Sequence, residues 1–377
     1  MKTRAAILAG VGEKWIVDEV ELGTPGANDV IVEIKAAGLC HSEEHMASGD
    51  MVFTQDILDA MGMPEQFPLI GGHEGSGVVV EVGADVRKVK VGDHVSTSFI
   101  PSCGICRACV GGRQYLCDQG FDLMTTQAEP KHFWQGKPAN TYSNLGTFAE
   151  HALVHENSLV KIEDHFPFDI AALVSCGVPT GWGSAVDRAG TQPGDVVAVI
   201  GIGGIGINAV QGAKSVGAQV IMAIDPVEFK RQKAMEFGAT HTAATVEEAM
   251  PLIQELSRGR LCDRVIVTPS VLYGDILAAA MSITGKGSTC VATAVAPYAQ
   301  AEVPLSLVDL TLWNKELKGS LYGSTNPRAQ IPKLLSLYES GQLKLDELIT
   351  HRYPLDDINS GYDDLREGLI LRGVITF

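Results

Sequence analysis

Positive charge is scarce in this chain: 29 Lys and Arg stand against 45 Asp and Glu, giving a net charge of -16 and a pI near 5.0. So acidic a chain argues against nucleic acid or an anionic membrane surface as a partner. Long apolar runs are missing as well, and none approaches the roughly 20 residues that a membrane span needs. There is no low-complexity stretch and no internal repeat. The first residues, MKTRAAILAG, lack the pattern of a secretory signal, so a cytoplasmic, reducing compartment is expected. What the chain has is bulk: 377 residues, enough for two domains, with 45% hydrophobic residues to fill their cores.

The first 100 residues read as short strands separated by Gly, Pro and Asp: 5–8, 29–38, 77–83 and 93–100. That texture predicts an irregular or barrel-like β domain. From about residue 178 apolar strands alternate with helical patterns. Strands are expected over 196–201, 220–225, 264–269 and 288–293, and helices from about 204, over 226–237 and over 273–283. Near-continuous apolar strands alternating with helices predict a parallel sheet buried on both faces, an α/β architecture. After about 325 one clear helix, IPKLLSLYESGQL, precedes a terminal strand, GVITF.

Half of the eight cysteines sit in one short run. Cys103, Cys106, Cys109 and Cys117 follow the spacing C-x2-C-x2-C-x7-C. Four thiolates on one tight loop are what a closed tetrahedral zinc site requires, and with no open position such a site is structural. Reduced surface thiols are the alternative.

A second motif follows the strand VVAVI. Gly201, Gly203 and Gly206 form G-x-G-x-x-G, with Gly204 and Ile205 inside it and the helix INAVQGAKSVG after it. The glycines suit a tight turn, a close approach to pyrophosphate and helix–strand packing, and the anion would sit on the helix N-terminus. Asp225, nineteen residues past Gly206, stands where an acid bonds the adenosine ribose hydroxyls and repels a 2′-phosphate. NAD is therefore expected over NADP. Taken alone, Asp225 also reads as a helix N-cap.

Three further metal-ligand candidates are scattered: Cys40 in AAGLCHSEEH, His73 in GGHEGSG and Cys176 in SCGVPTGWG. No spacing rule joins them, and singly each reads equally as a core residue. Their order around the four-cysteine loop, with G-x-G-x-x-G and Asp after it, resembles the zinc-containing alcohol dehydrogenases of the medium-chain dehydrogenase/reductase superfamily. The resemblance covers essentially the whole chain. Gly-Leu-Cys-His-Ser, Cys-Gly-Val-Pro-Thr-Gly-Trp-Gly and LTLWNKELKGSLYGSTNP resemble most the actinobacterial branch assayed with nitrosodimethylaniline.

The resemblance implies a GroES-like β-rich catalytic domain, 1–177 with 322–377, around a doubly wound parallel Rossmann domain, 178–321. It implies two zinc ions per chain: a structural one in the 103–117 loop and a catalytic one on Cys40, His73 and Cys176. Glu74 enters as a neighbouring acid or transient ligand, and Glu43 stands where relatives place an Asp that supports the ligand histidine. NAD would be bound by His41, Thr180, the 201–206 loop, Asp225, Lys230 and Arg372, the last against the pyrophosphate. Zinc lowers the pKa of a bound hydroxyl, so the alcohol proton needs an exit. Ser42 and His45 match the family's relay for it; otherwise they read as a turn residue and a surface histidine. Phe99, Val295 and Leu321 fall at pocket positions, where core packing is an equal account.

The chain departs from the best-known members by an insertion near 52–66, with helical apolar spacing at Phe53, Ile57 and Met61. Cys262 and Cys290 are expected in the core. The function expected is oxidation of a small-molecule alcohol, or reduction of an aldehyde, with mycofactocin as the carrier that the nitrosodimethylaniline branch suggests. A thiol-adduct (formaldehyde-type) dehydrogenase on the same scaffold is the alternative, and a non-catalytic zinc- and dinucleotide-binding regulator is a more remote one. A homo-oligomer is expected, a dimer before a tetramer, paired through an edge strand in AEVPLSLVDLTLW (301–313).

Overall fold

The structure, a computed structural model, describes residues 1–120, 130–298, 300 and 302–377. Two compact units emerge: Met1–Cys176 with Asn326–Gly341 and Leu345–Phe377, and Gly177–Thr325 with Gln342–Lys344.

In the first unit two antiparallel-rich sheets share a large apolar core that includes Leu8, Val32, Leu39, Phe148, Tyr362 and Ile375. Its organising element is the strand Asp29–Gly38, almost wholly buried. Gly75–Val82 and His151–His155 pair with its length, and Arg372–Thr376 with its end. Because Ala37 faces both Gly75 and Ile375, the register gathers the residues after Gly38, before Gly75 and around Arg372 at one place.

The second unit holds six parallel strands in the order His241–Ala243, Val220–Ile224, Val196–Ile200, Cys262–Val267, Thr284–Ala292 and Glu316–Gly319. This is the 3-2-1-4-5-6 order of a doubly wound dinucleotide-binding sheet. Val196–Ile200 and Val220–Ile224 are buried at every residue, which is why they read as continuous apolar runs. Cys262 and Cys290, on neighbouring strands, are fully buried in its core.

Two sequence expectations are corrected here. Ala301 lies outside the described residues, but the stretch proposed as an edge strand contains the helix Leu307–Leu312, started by Ser306, whose hydroxyl accepts the Asp309 amide. The outer strand is Glu316–Gly319 instead. The insertion does form a helix, Gln55–Met61, but its buried residue is Leu58, while Ile57 is exposed. The side chain of Met61 lies outside the described set.

Candidate active site

Cys40 follows the strand Asp29–Gly38 by two residues and stands immediately before the helix His41–Ser48, without a side-chain capping bond. His73 and Glu74 immediately precede Gly75–Val82. Cys176 follows the helix Phe168–Leu173, whose Phe168 and Ala171 carbonyls accept from Ser76 and Ser96 of the neighbouring strands. One ligand atom from each of Cys40, His73, Glu74 and Cys176 lies within 4.8 Å of the others. Chain topology thus joins residues that no spacing rule connects.

The surroundings set the donors' chemistry. His73 Nδ1 lies 2.6 Å from Glu43 Oε1, which leaves Nε2 to face the other donors of the cluster. Glu43 is fully buried; its fellow Glu44 pairs instead with Arg366 at 2.8 Å. A hydrogen bond from Cys176, then the charge of His73, holds the Cys40 thiol well below its usual range despite burial. Glu74 is ion-paired with Arg372, whose Nη2 also donates to the Leu39 carbonyl at 3.2 Å. Burial pushes the Glu74 carboxyl up to about 7, and Arg372 opposes that rise. Only glycine fits at position 38, because a Cβ there would stand 2.2 Å from the Glu74 carboxylate. Sequence reading placed Arg372 on a pyrophosphate and did not anticipate this pair.

The remaining candidates of this unit fall around the cluster. Ser42 Oγ lies 3.5 Å from Cys40 Sγ. Phe99 packs edge-on against the His73 ring at 5.4 Å between centroids, and Tyr142, which sequence reading missed, does so at 5.3 Å. His41 is half-buried. His45 is only 4% exposed, so it is not the surface histidine that stands as the alternative to a relay residue. Its Nδ1 lies 3.2 Å from Asp50 Oδ2, and Asp50 is the group that reaches solvent.

The four-cysteine loop is a separate cluster, its ligand atoms again within 4.8 Å of one another. The Cys103–Cys109 and Cys106–Cys117 sulfurs are each 3.9 Å apart. A tetrahedron with metal–sulfur bonds of about 2.3 Å has edges of about 3.8 Å, so the donors fit zinc without rearrangement. Backbone amides of Cys103, Ile105, Cys106, Cys109 and Gly120 point at these sulfurs at 3.3–3.5 Å, as thiolates require. At the first cluster two sulfurs and one imidazole, beside a tied-up carboxylate, match the open donor set that a catalytic zinc would use.

In the second unit the glycine loop passes a similar test for a dinucleotide. A Cβ on Gly201 would stand 2.6 Å from the Thr268–Pro269 backbone, and one on Gly206 would stand 1.9 Å from the Gly201 carbonyl. A Cβ on Gly203 would meet nothing within 4 Å. The outer glycines are thus imposed by the protein's own backbone, whereas the middle one borders open space of the kind a pyrophosphate fills. Asp225, 5% exposed, accepts from the Ile202 amide at 2.7 Å and the Val227 amide at 2.8 Å, which fixes it beside the loop. Thr180 Oγ1 is buried with no hydrogen-bond partner among the described residues, a donor that a cofactor amide would satisfy. Lys230 is half-buried; its neighbour Arg231 donates to the Asp225 and Pro226 carbonyls at 2.7 and 2.8 Å. Val295 is half-buried and Leu321 is 44% exposed.

Comparison with known proteins places the chain in one family along its whole length. The family "Alcohol dehydrogenase GroES-like domain" matches residues 26–164, and "Zinc-binding dehydrogenase" matches 204–340. The "NDMA-dependent alcohol dehydrogenase" of Amycolatopsis methanolica is 45% identical, covering 100% of this chain and 99% of its own. "Alcohol dehydrogenase B" of Mycobacterium tuberculosis is 42% identical with the same coverage. The crystal structure of an alcohol dehydrogenase zinc-binding domain protein from Burkholderia ambifaria superposes with a TM-score of 0.90 at 26% identity, covering 100% of this chain and 99% of that one. With likeness along its full length and both donor sets in place, the chain belongs to the zinc-containing alcohol dehydrogenases of the medium-chain dehydrogenase/reductase superfamily.

Proposed function

We propose that this chain oxidises a small-molecule alcohol to its aldehyde, or runs the reverse, with Cys40, His73 and Cys176 holding the catalytic zinc. The observation that carries the reading is the convergence of those three donors beside Ser42 and the Glu74–Arg372 pair. When bound, zinc supplies Lewis acidity to a substrate hydroxyl and NAD accepts hydride. Glu43 holds the His73 ring and its tautomer. Arg372 keeps a counter-charge on Glu74, so this fourth potential donor, the cluster's carboxylate, is held back from the donor set. Ser42 accepts the substrate proton, and His45 takes it onward with its Nδ1 fixed by Asp50. Phe99 and Tyr142 line the approach to His73 and exclude water from it. Gly203, Asp225 and Thr180 orient NAD.

Likeness to a relative named NDMA-dependent supports a finer reading: NAD(H) stays bound through turnover and is reoxidised in place by an external carrier. Nitrosodimethylaniline would serve as the artificial acceptor and mycofactocin as the physiological one. We further propose a homodimer formed at the outer strand Glu316–Gly319, beside which Leu307, Val308 and Leu312 are 60–73% exposed. Among the described residues no helix is long and apolar enough to cross a membrane, and a cytoplasmic location is part of the proposal.

The test is metal analysis and absorbance of the freshly purified protein. About two zinc per chain are expected from the two donor sets. Addition of alcohol should raise an NADH band without added cofactor, and nitrosodimethylaniline should discharge it. One zinc per chain and no alcohol-dependent band or turnover would overturn the reading; a band only with added NAD would overturn the bound-cofactor part alone. Light scattering that finds a monomer at micromolar concentration would remove the dimer.

A further inference from the structure

Two cations converge near the four-cysteine loop, and the reaction uses neither. Asn157 Oδ1 accepts from Lys88 Nζ and, at 3.4 Å, from Arg328 Nη2. The Asn157 carbonyl accepts from the amide of Ser102, the residue before Cys103, at 3.3 Å. Arg328 Nη1 lies 4.0 Å from where a Cβ on Gly104 would stand, inside the loop itself. Lys88 and Arg328 come from distant parts of the chain, yet they share one neutral amide oxygen.

Like charges do not meet around a neutral acceptor without an anion to face. The carboxylate at hand is Glu156, whose Oε1 is 4.0 Å from Lys88 Nζ while Oε2 is engaged by the Arg87 and Lys88 amides at 2.8 and 3.0 Å. Arg328 also sits in the first turn of the helix Pro327–Glu339, which has no acidic residue there. A cation at that end opposes the helix dipole. Burial depresses both cations and Arg328 depresses Lys88 further; Glu156 and the loop's thiols are what oppose this. A zinc ion held by four thiolates keeps two net negative charges, a second anion for the two cations to face beside the single carboxylate of Glu156.

We propose that Lys88 and Arg328 are positioning residues of the four-cysteine metal centre: they offset the charge of its thiolates, and Arg328 makes the seating of the helix Pro327–Glu339 depend on the metal. The inference rests on reading the four cysteines as a zinc site. It reaches across sequence, because the helix belongs to the segment by which the chain re-enters its first unit.

The experiment is zinc release to a colorimetric chelator from full-length protein in a Cys176→Ser background, so that one site is read. Arg328→Gln and Lys88→Gln should each lose zinc about 10- to 100-fold more readily, the range for groups that support metal ligands. Arg328→Lys should recover part of that loss. Hydrogen exchange in 327–339 should rise when zinc is stripped from the protein carrying Arg328, and should already be raised in Arg328→Gln before stripping. Release at the parental rate from both Gln variants, or a helix indifferent to zinc, overturns the proposal; Lys88→Gln decides the release arm if Arg328→Gln does not fold. Cys106→Ser is the control: if it keeps its zinc in this background, the metal reading itself has failed, not the role of the two cations.

Discussion

The His45 ring nitrogen Nδ1 lies 3.2 Å from Asp50 Oδ2, and Ser48 Oγ donates to the same carboxylate oxygen at 2.8 Å. Those two hydrogen bonds, that from Ser48 first, hold the Asp50 carboxyl below its usual pKa, so it stays ionised through the working range. An ionised partner on Nδ1 leaves Nε2 as the basic nitrogen and supports the charge that His45 gains when it takes a proton. Asp50 is 31% exposed at its side chain and His45 is 5%, so the proposed relay would reach solvent over Asp50.

His45→Ala is therefore expected to slow alcohol oxidation by about 10²-fold near neutral pH, the low end of what a positioned base contributes. The defect should shrink at high pH or with imidazole buffer. Asp50→Ala should lose less, and adding it to His45→Ala should cost nothing more, because the two act as one unit. Steady-state rates of the four proteins across pH check this. Additive losses would separate Asp50 from the relay.

The two cysteine clusters should respond differently to loss of one sulfur. Cys176→Ser is expected to abolish turnover with the fold kept, since its cluster is carried by strands and a helix anchored in a large buried apolar core. Cys106→Ser should lower thermal stability and soluble yield, because a structural zinc contributes folding free energy. Circular dichroism melts with zinc analysis decide. An unchanged melt and zinc content in Cys106→Ser would remove the structural assignment.

Legibility in the sequence followed the range of the interaction. Asp29–Gly38 and Val196–Ile200 were readable to within a residue, since apolar runs bounded by turn residues decide strands locally. The four cysteines and the glycine loop were readable because their ligands come from one short segment. Leu307–Leu312 was misread as a strand although Ser306 and Asp309 form an S-x-x-D start, a signal outweighed by the aliphatic pattern. The helix Val246–Leu256 was missed despite Thr245 accepting the Glu248 amide in the same way. Tyr142 on His73, Arg372 on Glu74 and Asp50 on His45 carried no local signal. The first two exist because sheet pairing and packing close over a long sequence distance, and the third because the chain turns back after the helix that ends at Ser48.

Cofactor choice should rest on Asp225. Its carboxylate is pinned by two amides and cannot swing away from a 2′-phosphate. NAD should be used in strong preference to NADP, and Asp225→Ser should narrow that preference at some loss in affinity for NAD. Gly203→Ala tests the other half, because a Cβ there meets nothing within 4 Å. It should weaken dinucleotide binding while leaving thermal stability close to the parent. Equal use of both cofactors by the parent protein would contradict the role of Asp225.

Acid sensitivity should have a contribution far from the active site. His132, on the strand His132–Trp134, is 3% exposed, and its Nδ1 is buried with no hydrogen-bond partner among the described residues. Burial, aided by Lys131 and opposed by Asp29, pushes its pKa down to about 4 from an ordinary 6.5. The unfolded chain therefore binds more protons than the folded one between those two values. Stability must rise with pH across that window, and on acidification it is lost from about pH 6.5 downward until the folded form titrates near 4. The full difference is worth roughly 3 kcal/mol for this one group, at about 1.4 kcal/mol per pKa unit. His132→Phe keeps an aromatic ring and removes the titration. Urea unfolding of both proteins, equally loaded with zinc, should show the gap between them changing in favour of His132→Phe as the pH drops from 6.5 to 4.5. Other acid-sensitive groups, the metal ligands among them, are common to both proteins and cancel in that difference. Parallel stability curves over the window would mean that His132 is already protonated, or already solvated, in the folded protein.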